Sequence, residues 1–536
     1  MFSDRNKTYL LAILSLATTS SASYSKVVTG EDCGNPLGYN STDSNIPLRT
    51  AATCSYFKEK FPDMTIVRTE GSAYTAENQV SWNAGAWLGP ACVLTPANAE
   101  EMSEAVKGLV RFGTPFAMRG GGHMPIPNAA NINSTGVLIS SSKLTKMELS
   151  TDGGTLELAP ANRWGDAYIY LNETGTGKMV VGGRYAPVGV PGYLLGGGMS
   201  FFSNEYGFSS ANGNVRAYEC VLADGTIVSA TSENEFVDLY WALQGGGNSF
   251  CLVTKFDLKT FDSPFIMLAD AHYGTGAATK DLWIDSVLNF VLNGSDDPKA
   301  AVIPVARFGL GSSEPVYDAT LFYNGDVAES TVLNDFQGGL LPKTNSTQLR
   351  NLTMAAFAKA VRPAFQEGGE SFALQQRFRV IPTLATREAI EIVHDTFRDA
   401  IPQVSNLTDF FAGLAWNAIT TEFNRASNQG VGCPQGVEEI PLYWVEQALT
   451  WGDAADSPTI DAWLHAVGAN ITAQLEAVGA SHPYIYLNDA DPDQKVFEGY
   501  PADNVKRLQS IRDKYDPQRI FTDLMPGGFK VADVVV

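Results

Sequence analysis

The chain has 536 residues, which is too long for one ordinary domain and predicts two. Its 44% hydrophobic and 18% charged residues are typical of a globular protein. The formal net charge of −21 argues against a nucleic-acid partner, because proteins that bind duplexes present a cationic surface.

The N-terminus has the order of a secretory signal. Arg5 and Lys7 precede a short apolar run from Tyr9, and small residues follow up to Ser23. Residues 1–23 are therefore predicted to be a cleaved signal peptide of a secreted protein, the alternative being a frayed N-terminus with a short helix. No apolar run is long enough to cross a bilayer, so no membrane association is expected.

Eight Asn-x-Ser/Thr sequons agree with secretion, although the motif is weak on its own. These predicted glycosylation sites are Asn40, Asn133, Asn172, Asn293, Asn345, Asn351, Asn406 and Asn470.

The six cysteines contain no C-x-x-C spacing, which excludes a zinc ribbon or a thioredoxin motif. In an oxidising compartment Cys54 and Cys92 are expected to form a disulfide, with Cys33 as a competing partner. Cys220 lies in a strand pattern and is interpreted as a small buried side chain.

Helical spacing over Pro96 to Gly113 predicts a helix, and the strand Pro115–Met118 then leads into a glycine-rich loop. The segment Val215–Ala230 predicts a hairpin, because Asp224-Gly225 is typical of a type I′ turn. A further helix is predicted over Glu233–Leu243. The other predicted strands of this half are Gly136–Ile139, Thr155–Leu158 and Leu252–Phe261.

The pattern changes near Asp262, after which strands and helices alternate without glycine loops. This order predicts a second α+β domain with a largely antiparallel sheet flanked by helices. Its predicted strands are Ile266–Ala271, Val302–Phe308, Asp318–Tyr323, Phe372–Val380 and Phe410–Trp416. Its predicted helices are Thr279–Leu292, Arg387–Ala400 and Thr459–Val478, and a last helix begins at Asp503.

The most informative motif is the run Arg119-Gly120-Gly121-Gly122-His123, with a second cluster at Gly196–Gly198. Glycine has no Cβ and tolerates positive φ, so such loops bring backbone N–H groups close to a large flat ligand. No histidine pair has the helical spacing of a zinc site, and no metal is expected. Nucleophile-elbow, P-loop and dinucleotide motifs are also absent from the sequence, which points to an organic cofactor.

Eight stretches resemble, in order, the berberine bridge enzyme-like FAD-linked oxidases of the vanillyl-alcohol-oxidase (PCMH-type FAD-binding) superfamily, in a fungal secreted variant. They are RGGGH from Arg119, VGGRYAPVG from Val181, GYLLGGG from Gly192, YGF from Tyr206, VLADG from Val221, WALQGGGN from Trp241, YLNDAD from Tyr486 and YDP from Tyr515.

The resemblance implies a two-subdomain FAD-binding domain at 50–262, a substrate domain at 263–483 and a C-terminal segment, 484–536, that returns to the FAD domain. It also implies a covalent bond from His123 to the 8α-methyl group of the flavin. A second, cysteinyl link is expected to be absent, because Tyr185 stands where the family has that cysteine.

The resemblance also assigns catalytic roles. The family motif Y-x-N-Y-x-D has a tyrosine as base where this chain has Asp489, which could act as base if burial raises its pKa. Tyr484, Tyr486 or a substrate-domain residue are the alternatives. Val188 either controls oxygen access or only packs. The predicted cofactor-binding residues are Arg119, Gly120, Gly121, Gly122, His123, Met124, Gly182, Gly183, Gly189, Gly192, Gly196, Gly197, Gly198 and Asn488.

These features imply an FAD-dependent oxidase that takes a hydride from a small-molecule alcohol, sugar or secondary metabolite and reduces O2 to H2O2. One alternative is a flavin-bound cyclase or non-redox scaffold of secondary metabolism. Another is a secreted carbohydrate-binding protein without a cofactor. The sequence fixes neither the substrate nor the oligomeric state.

Overall fold

The computed structural model describes residues 45–309, 314–326, 330–344, 348–366 and 368–535. The predicted signal peptide, Cys33 and the sequons at Asn40 and Asn345 lie outside these ranges. The helices are α1 (Ile46–Lys60), α2 (Ser72–Asn78), α3 (Ala99–Phe112), α4 (Trp164–Glu173), α5 (Val190–Leu195), α6 (Ser203–Tyr206), α7 (Val237–Ala242), α8 (Ala277–Asn293), α9 (Met354–Val361), α10 (Arg387–Ala400), α11 (Thr421–Ser427), α12 (Ser457–Ala477) and α13 (Ala502–Tyr515).

Three sheets organise these helices. Their strands are β1 (Thr65–Val67), β2 (Cys92–Leu94), β3 (Phe116–Arg119), β4 (Val137–Ser140), β5 (Met147–Leu149), β6 (Thr155–Leu158), β7 (Lys178–Val180), β8 (Val215–Val221), β9 (Ile227–Thr231), β10 (Leu252–Asp262), β11 (Ile266–Gly274), β12 (Ala300–Phe308), β13 (Val316–Tyr323), β14 (Arg350–Leu352), β15 (Gln375–Leu384), β16 (Phe411–Ile419) and β17 (Leu442–Trp451). The α+β class expected from the sequence is confirmed.

The first sheet has the order β1-β2-β4-β3, with β1 antiparallel and the other pairs parallel. Helix α3 begins where the Asn98 side chain accepts a hydrogen bond from the Glu101 N–H at 2.8 Å, and it ends at Gly113 with φ 59°. The Cys54–Cys92 disulfide joins α1 to β2, which confirms that pairing. Strand β3 then ends at the glycine-rich loop.

The second sheet has the order β5-β6-β10-β8-β9, with β7 also paired to β10. The hairpin of β8 and β9 is confirmed, but the type I′ turn is wrong, because only Gly225 of the dipeptide has positive φ. The Asp224 carboxylate accepts the Thr226 N–H at 2.8 Å instead and favours a different turn. Cys220 is not an isolated small side chain, since a second disulfide joins it to Cys251.

The third sheet is antiparallel throughout, in the order β14-β11-β13-β12-β16-β17-β15. One face is covered by α8, α10 and α12, which bury an apolar core with side chains such as Trp416 and Trp451. Strand β15 starts three residues later than predicted and continues through Pro382, which an edge strand tolerates. Strand β17 and helix α11 were not predicted.

The C-terminal segment returns to the first half of the chain. The Tyr500 hydroxyl donates to the Gly245 carbonyl at 2.8 Å, and Tyr515 donates to Asp238 at 2.7 Å. Lys530 donates to the Asn248 side chain at 2.8 Å. Within the described ranges, none of the helices combines the length and apolar character needed to span a bilayer. The sequon asparagines that the structure describes are all exposed.

Candidate active site

A cavity of about 470 Å³ lies between the sheets. One wall is the loop that follows β3, and a second is the segment from Gly183 to Met199. The third wall is a face of the seven-stranded sheet, and the C-terminal segment closes the cavity with Tyr486 to Asp489. Parts of the chain that are far apart in sequence therefore share one site, whose volume is in the range of small-molecule pockets.

His123 lies in this cavity against Trp82. The two rings stack with centroids 4.5 Å apart and an interplanar angle of 11°, and the Trp82 indole N–H donates to the His123 carbonyl at 2.9 Å. Burial, together with the positive charge of Arg163, lowers the pKa of His123 to about 3. The imidazole is therefore neutral at physiological pH. Its buried Nδ1 has no hydrogen-bond partner among the described residues, so this polar atom is left uncompensated within the protein.

The glycines of the cavity wall permit backbone segments to cross at short range. A Cβ on Gly121 would lie 2.4 Å from the Gly189 Cα, and one on Gly196 would lie 2.1 Å from the Asn488 Oδ1. A Cβ on Gly120 would meet Pro191 at 2.3 Å. Side chains at Gly120 and Gly121 would separate the loop after β3 from residues 189–191, and a side chain at Gly196 would displace Asn488, which explains the glycines.

Other predicted cofactor-binding residues lie away from the cavity lining. Arg119 is buried in an ion pair with Glu77 and donates to the Ser140 hydroxyl at 2.7 Å. A Cβ on Gly182 would meet the Trp164 ring at 2.3 Å, and one on Gly198 would meet Tyr193 at 2.4 Å. Gly197 is similarly crowded by Gln435, at 2.5 Å. The structure gives these residues packing partners within the protein.

The remaining predicted residues line the cavity directly. They are Gly122, Met124, Gly183, Val188, Gly189, Gly192 and Asn488. Tyr185, which stands in place of the family cysteine, also faces the cavity and is 37% exposed there.

A carboxyl pair lines the site. Glu446, on β17, and Asp489, in the C-terminal segment, both line the cavity, and so does Arg184. Burial raises the pKa of Asp489 to about 6, while Arg184 opposes this shift. Burial and the charge of Asp489 raise the pKa of Glu446 to about 8. Because the charge of Asp489 is one cause of the Glu446 shift, ionisation of one carboxyl disfavours ionisation of the other.

Tyr486 is less suited to act as a base. Its hydroxyl oxygen accepts hydrogen bonds from the Met199 N–H and the Asn488 amide, both at 2.9 Å. Burial and the charge of Asp489 raise the pKa of Tyr486 well above its usual range, so the phenol keeps its proton. Asn488 also donates to the Tyr193 carbonyl at 3.0 Å and holds this end of the cavity in place.

Sequence reasoning missed Glu446. The residue lies in the run Leu442–Trp451, whose other members are mostly apolar and buried. A single acid within an apolar run was the available signal, because a carboxylate on a buried strand usually faces a partner or a site.

The residues present fit the predicted flavin. An unpartnered imidazole nitrogen and a cradle of glycines fit the attachment and the close backbone approach that a large flat cofactor needs. The aromatic rings of Trp82 and Tyr185 supply apolar walls.

Comparisons with known proteins agree with this site. A family model described as an FAD binding domain matches residues 90–231. The FAD-dependent monooxygenase prx3 of Penicillium roqueforti is 31% identical over 502 residues, which cover 91% of this chain and 95% of that protein.

Solved structures share the fold. A glucooligosaccharide oxidase from Acremonium strictum, studied for its 6-S-cysteinyl, 8α-N1-histidyl FAD, superimposes with a TM-score of 0.72 at 18% identity. The match covers 91% of this chain and all of that one. Berberine bridge enzyme from Eschscholzia californica gives a TM-score of 0.71 at 15% identity, with the same coverage.

The matching family model indicates that the cofactor is FAD. The similarity to the P. roqueforti monooxygenase extends over nearly the whole chain. The chain belongs to the family of FAD-linked oxidoreductases that includes this monooxygenase, and it has the fold of berberine bridge enzyme.

Proposed function

We propose that the protein is an oxidase that converts an alcohol, whose carbon carries both a hydrogen and the hydroxyl group, into a carbonyl compound. The Glu446–Asp489 pair is its proton acceptor. Bound FAD would supply the acceptor for the hydride of that carbon, and its reoxidation by O2 with two protons would give H2O2. The hydroxyl proton of the substrate goes to the carboxylate, so an alcohol and O2 yield a carbonyl compound and H2O2.

The carboxyl pair is the observation that carries this proposal. A base needs a pKa near the operating pH, and burial brings Asp489 to about 6. Burial and the charge of Asp489 raise the pKa of Glu446, which favours the protonated form that can donate a hydrogen bond to a substrate oxygen. Arg184 holds this region through its 2.9 Å hydrogen bond to Asn417.

We also propose that the FAD is bonded to His123 through Nδ1 and has no cysteinyl link. The neutral imidazole has the lone pair that this bond requires, and Nδ1 has no other described partner. Acid precipitation and proteolysis of the purified protein should give a fluorescent flavin peptide that contains His123. In His123→Ala the flavin should be fully released by acid.

The reaction is tested by screening alcohols, sugars and phenolic compounds for O2 uptake and H2O2 release. One H2O2 per O2 supports an oxidase. The name of the relative from P. roqueforti favours monooxygenation as a second candidate. Product that carries 18O from 18O2, without stoichiometric peroxide, would establish it. Turnover that neither reduces flavin nor consumes O2 would indicate the non-redox cyclase instead.

We further propose that the protein is secreted and glycosylated. The described sequon asparagines are exposed, which permits modification. Expression in a fungal host should give medium-borne protein whose mass falls after treatment with an N-glycosidase, whereas unmodified intracellular protein would contradict this.

A further inference from the structure

The face of the seven-stranded sheet that lines the cavity has a regular pattern. Alternate residues of four neighbouring strands point into the cavity, and on β12, β16 and β17 the intervening ones are buried on the opposite face. The lining residues are Val305 and Arg307 on β12, Phe411, Gly413 and Ala415 on β16, Glu446, Ala448 and Thr450 on β17, and Gln376 and Phe378 on β15.

Four of these residues form one row across the sheet, which we call the central row. The strand pairings place Arg307 beside Gly413, Gly413 beside Ala448, and Ala448 beside Phe378. Three strand spacings separate the backbones of Arg307 and Phe378, or about 14 Å. Because its two middle members are glycine and alanine, the row has a flat floor between a cation and an aromatic ring.

The neighbouring rows add few free polar groups. Val305 and Ala415 are paired on one side, next to Glu446 of the carboxyl pair. On the other side the Thr450 hydroxyl donates to Gln376 at 2.6 Å, so these two groups satisfy each other. A sugar needs a hydrogen-bonding partner for each buried hydroxyl, and this face offers few.

Arg307 supplies the cation of the central row. Its Nε donates to Asp318 at 2.7 Å, while its two terminal nitrogens have no hydrogen-bond partner in the part of the chain that the structure describes. Its side chain is 39% exposed, although it lines the cavity. A guanidinium held at one edge by Asp318 presents its other edge to an anionic oxygen.

From this geometry we infer that the substrate is a flat aromatic ring system that carries an anionic oxygen, a carboxylate or phenolate. Its rings lie on Gly413 and Ala448, its anionic end meets Arg307, and its reacting alcohol faces the carboxyl pair. This inference rests on the proposed function, since it names the substrate class of that same site.

Calorimetric titration of the full-length protein as purified tests the inference with three probes. These are 2-naphthoate, the neutral 2-naphthalenemethanol and the disaccharide cellobiose. We expect 2-naphthoate to bind at least tenfold more tightly than 2-naphthalenemethanol, and cellobiose to bind most weakly. If the wild-type protein bound 2-naphthoate and 2-naphthalenemethanol with equal affinity, or bound cellobiose more tightly than either, the inference would be overturned.

Two variants sharpen this test. Arg307→Gln should weaken 2-naphthoate at least tenfold and 2-naphthalenemethanol less than threefold, whereas the exposed Arg350→Gln, on β14 of the same sheet, should change neither. Ala448→Leu should weaken both naphthalenes at least tenfold, because it fills the floor. Unchanged binding of 2-naphthoate to Arg307→Gln would overturn the inference. Absence of flavin absorbance, or of O2 uptake with every alcohol, would count against the proposed function instead.

Discussion

Trp82 holds His123 from two directions, because its ring stacks on the imidazole at 4.5 Å while its indole N–H binds the His123 carbonyl. Backbone and side chain of the histidine are thus fixed by one residue. Such preorganisation of an attachment point lowers the cost of reaching the bonding geometry.

The first prediction follows from this contact. Trp82→Ala should reduce the fraction of flavin that resists acid release at least tenfold, because the imidazole loses its stacking partner. Trp82→Phe, which keeps an aromatic face, should retain most of it. The fraction is measured as fluorescence of the protein band after denaturing electrophoresis. Full attachment in Trp82→Ala would show that His123 needs no such support.

The second prediction concerns pH. The pKa of Asp489 is raised to about 6, so kcat/KM should rise as the pH increases through 6 and the base loses its proton. Above about pH 8 Glu446 ionises as well, and kcat/KM should fall because the hydrogen-bond donor is lost. The two limbs belong to the pair rather than to either residue alone.

Variants of Asp489 and Glu446 show how each residue contributes to the two limbs of the pH profile. Asp489→Asn should lower kcat by about 10² to 10⁴, the usual contribution of a general base. Glu446→Gln keeps a donor that does not titrate, so the alkaline limb should disappear while substantial activity remains. A pH profile of Glu446→Gln that keeps both limbs would remove Glu446 from the mechanism.

The third prediction separates two glycines of the cavity wall. Gly121→Ala should lower the melting temperature of the flavin-free protein, because its Cβ would lie 2.4 Å from the Gly189 Cα. The Cβ of Gly192→Ala would meet no protein atom within 4 Å, so flavin-free stability should be unchanged. Any loss of flavin in Gly192→Ala would then report contact with the cofactor. Equal melting temperatures for both variants and wild type would contradict the close crossing.

The fourth prediction concerns the disulfide between α1 and β2. Replacing Cys54 and Cys92 together by serine opens a loop with a sequence separation of 38 residues. This should lower the free energy of unfolding by about 2 to 4 kcal/mol, measured by urea denaturation. Replacement of the free Cys433 by serine is the control for thiol removal, although that side chain is buried. An unchanged denaturation midpoint would mean that the crosslink adds no stability.

Local signals predicted much of this molecule. Helix α3 begins and ends within three residues of the predicted span, because Asn98 and Gly113 are strong capping residues. The loop at His123 was also predictable, since three consecutive glycines after a strand disfavour regular secondary structure and favour a loop.

The seven-stranded sheet was harder to predict. Strand β17 has neighbours on both sides in the sheet and apolar cover on one face, so its sequence reads as an almost continuous apolar run without clear alternation. Glu446 was not identified as a site residue because its strand was not predicted. The pairing of Glu446 with Asp489 depends on contacts between distant segments, and no local pattern in the sequence encodes such contacts.

The return of the C-terminal segment to the first sheets has a consequence for biosynthesis. Because Asn488 and Asp489 line the cavity and Tyr500 binds the Gly245 carbonyl, the cavity is incomplete until residues 486–500 have been synthesised and have folded back. A nascent chain on the ribosome would contain the loop that ends at His123 but not the cavity wall formed by Tyr486 to Asp489. We therefore expect flavin to be captured only after this segment has folded back, and chains that stop before residue 486 should accumulate as apoprotein.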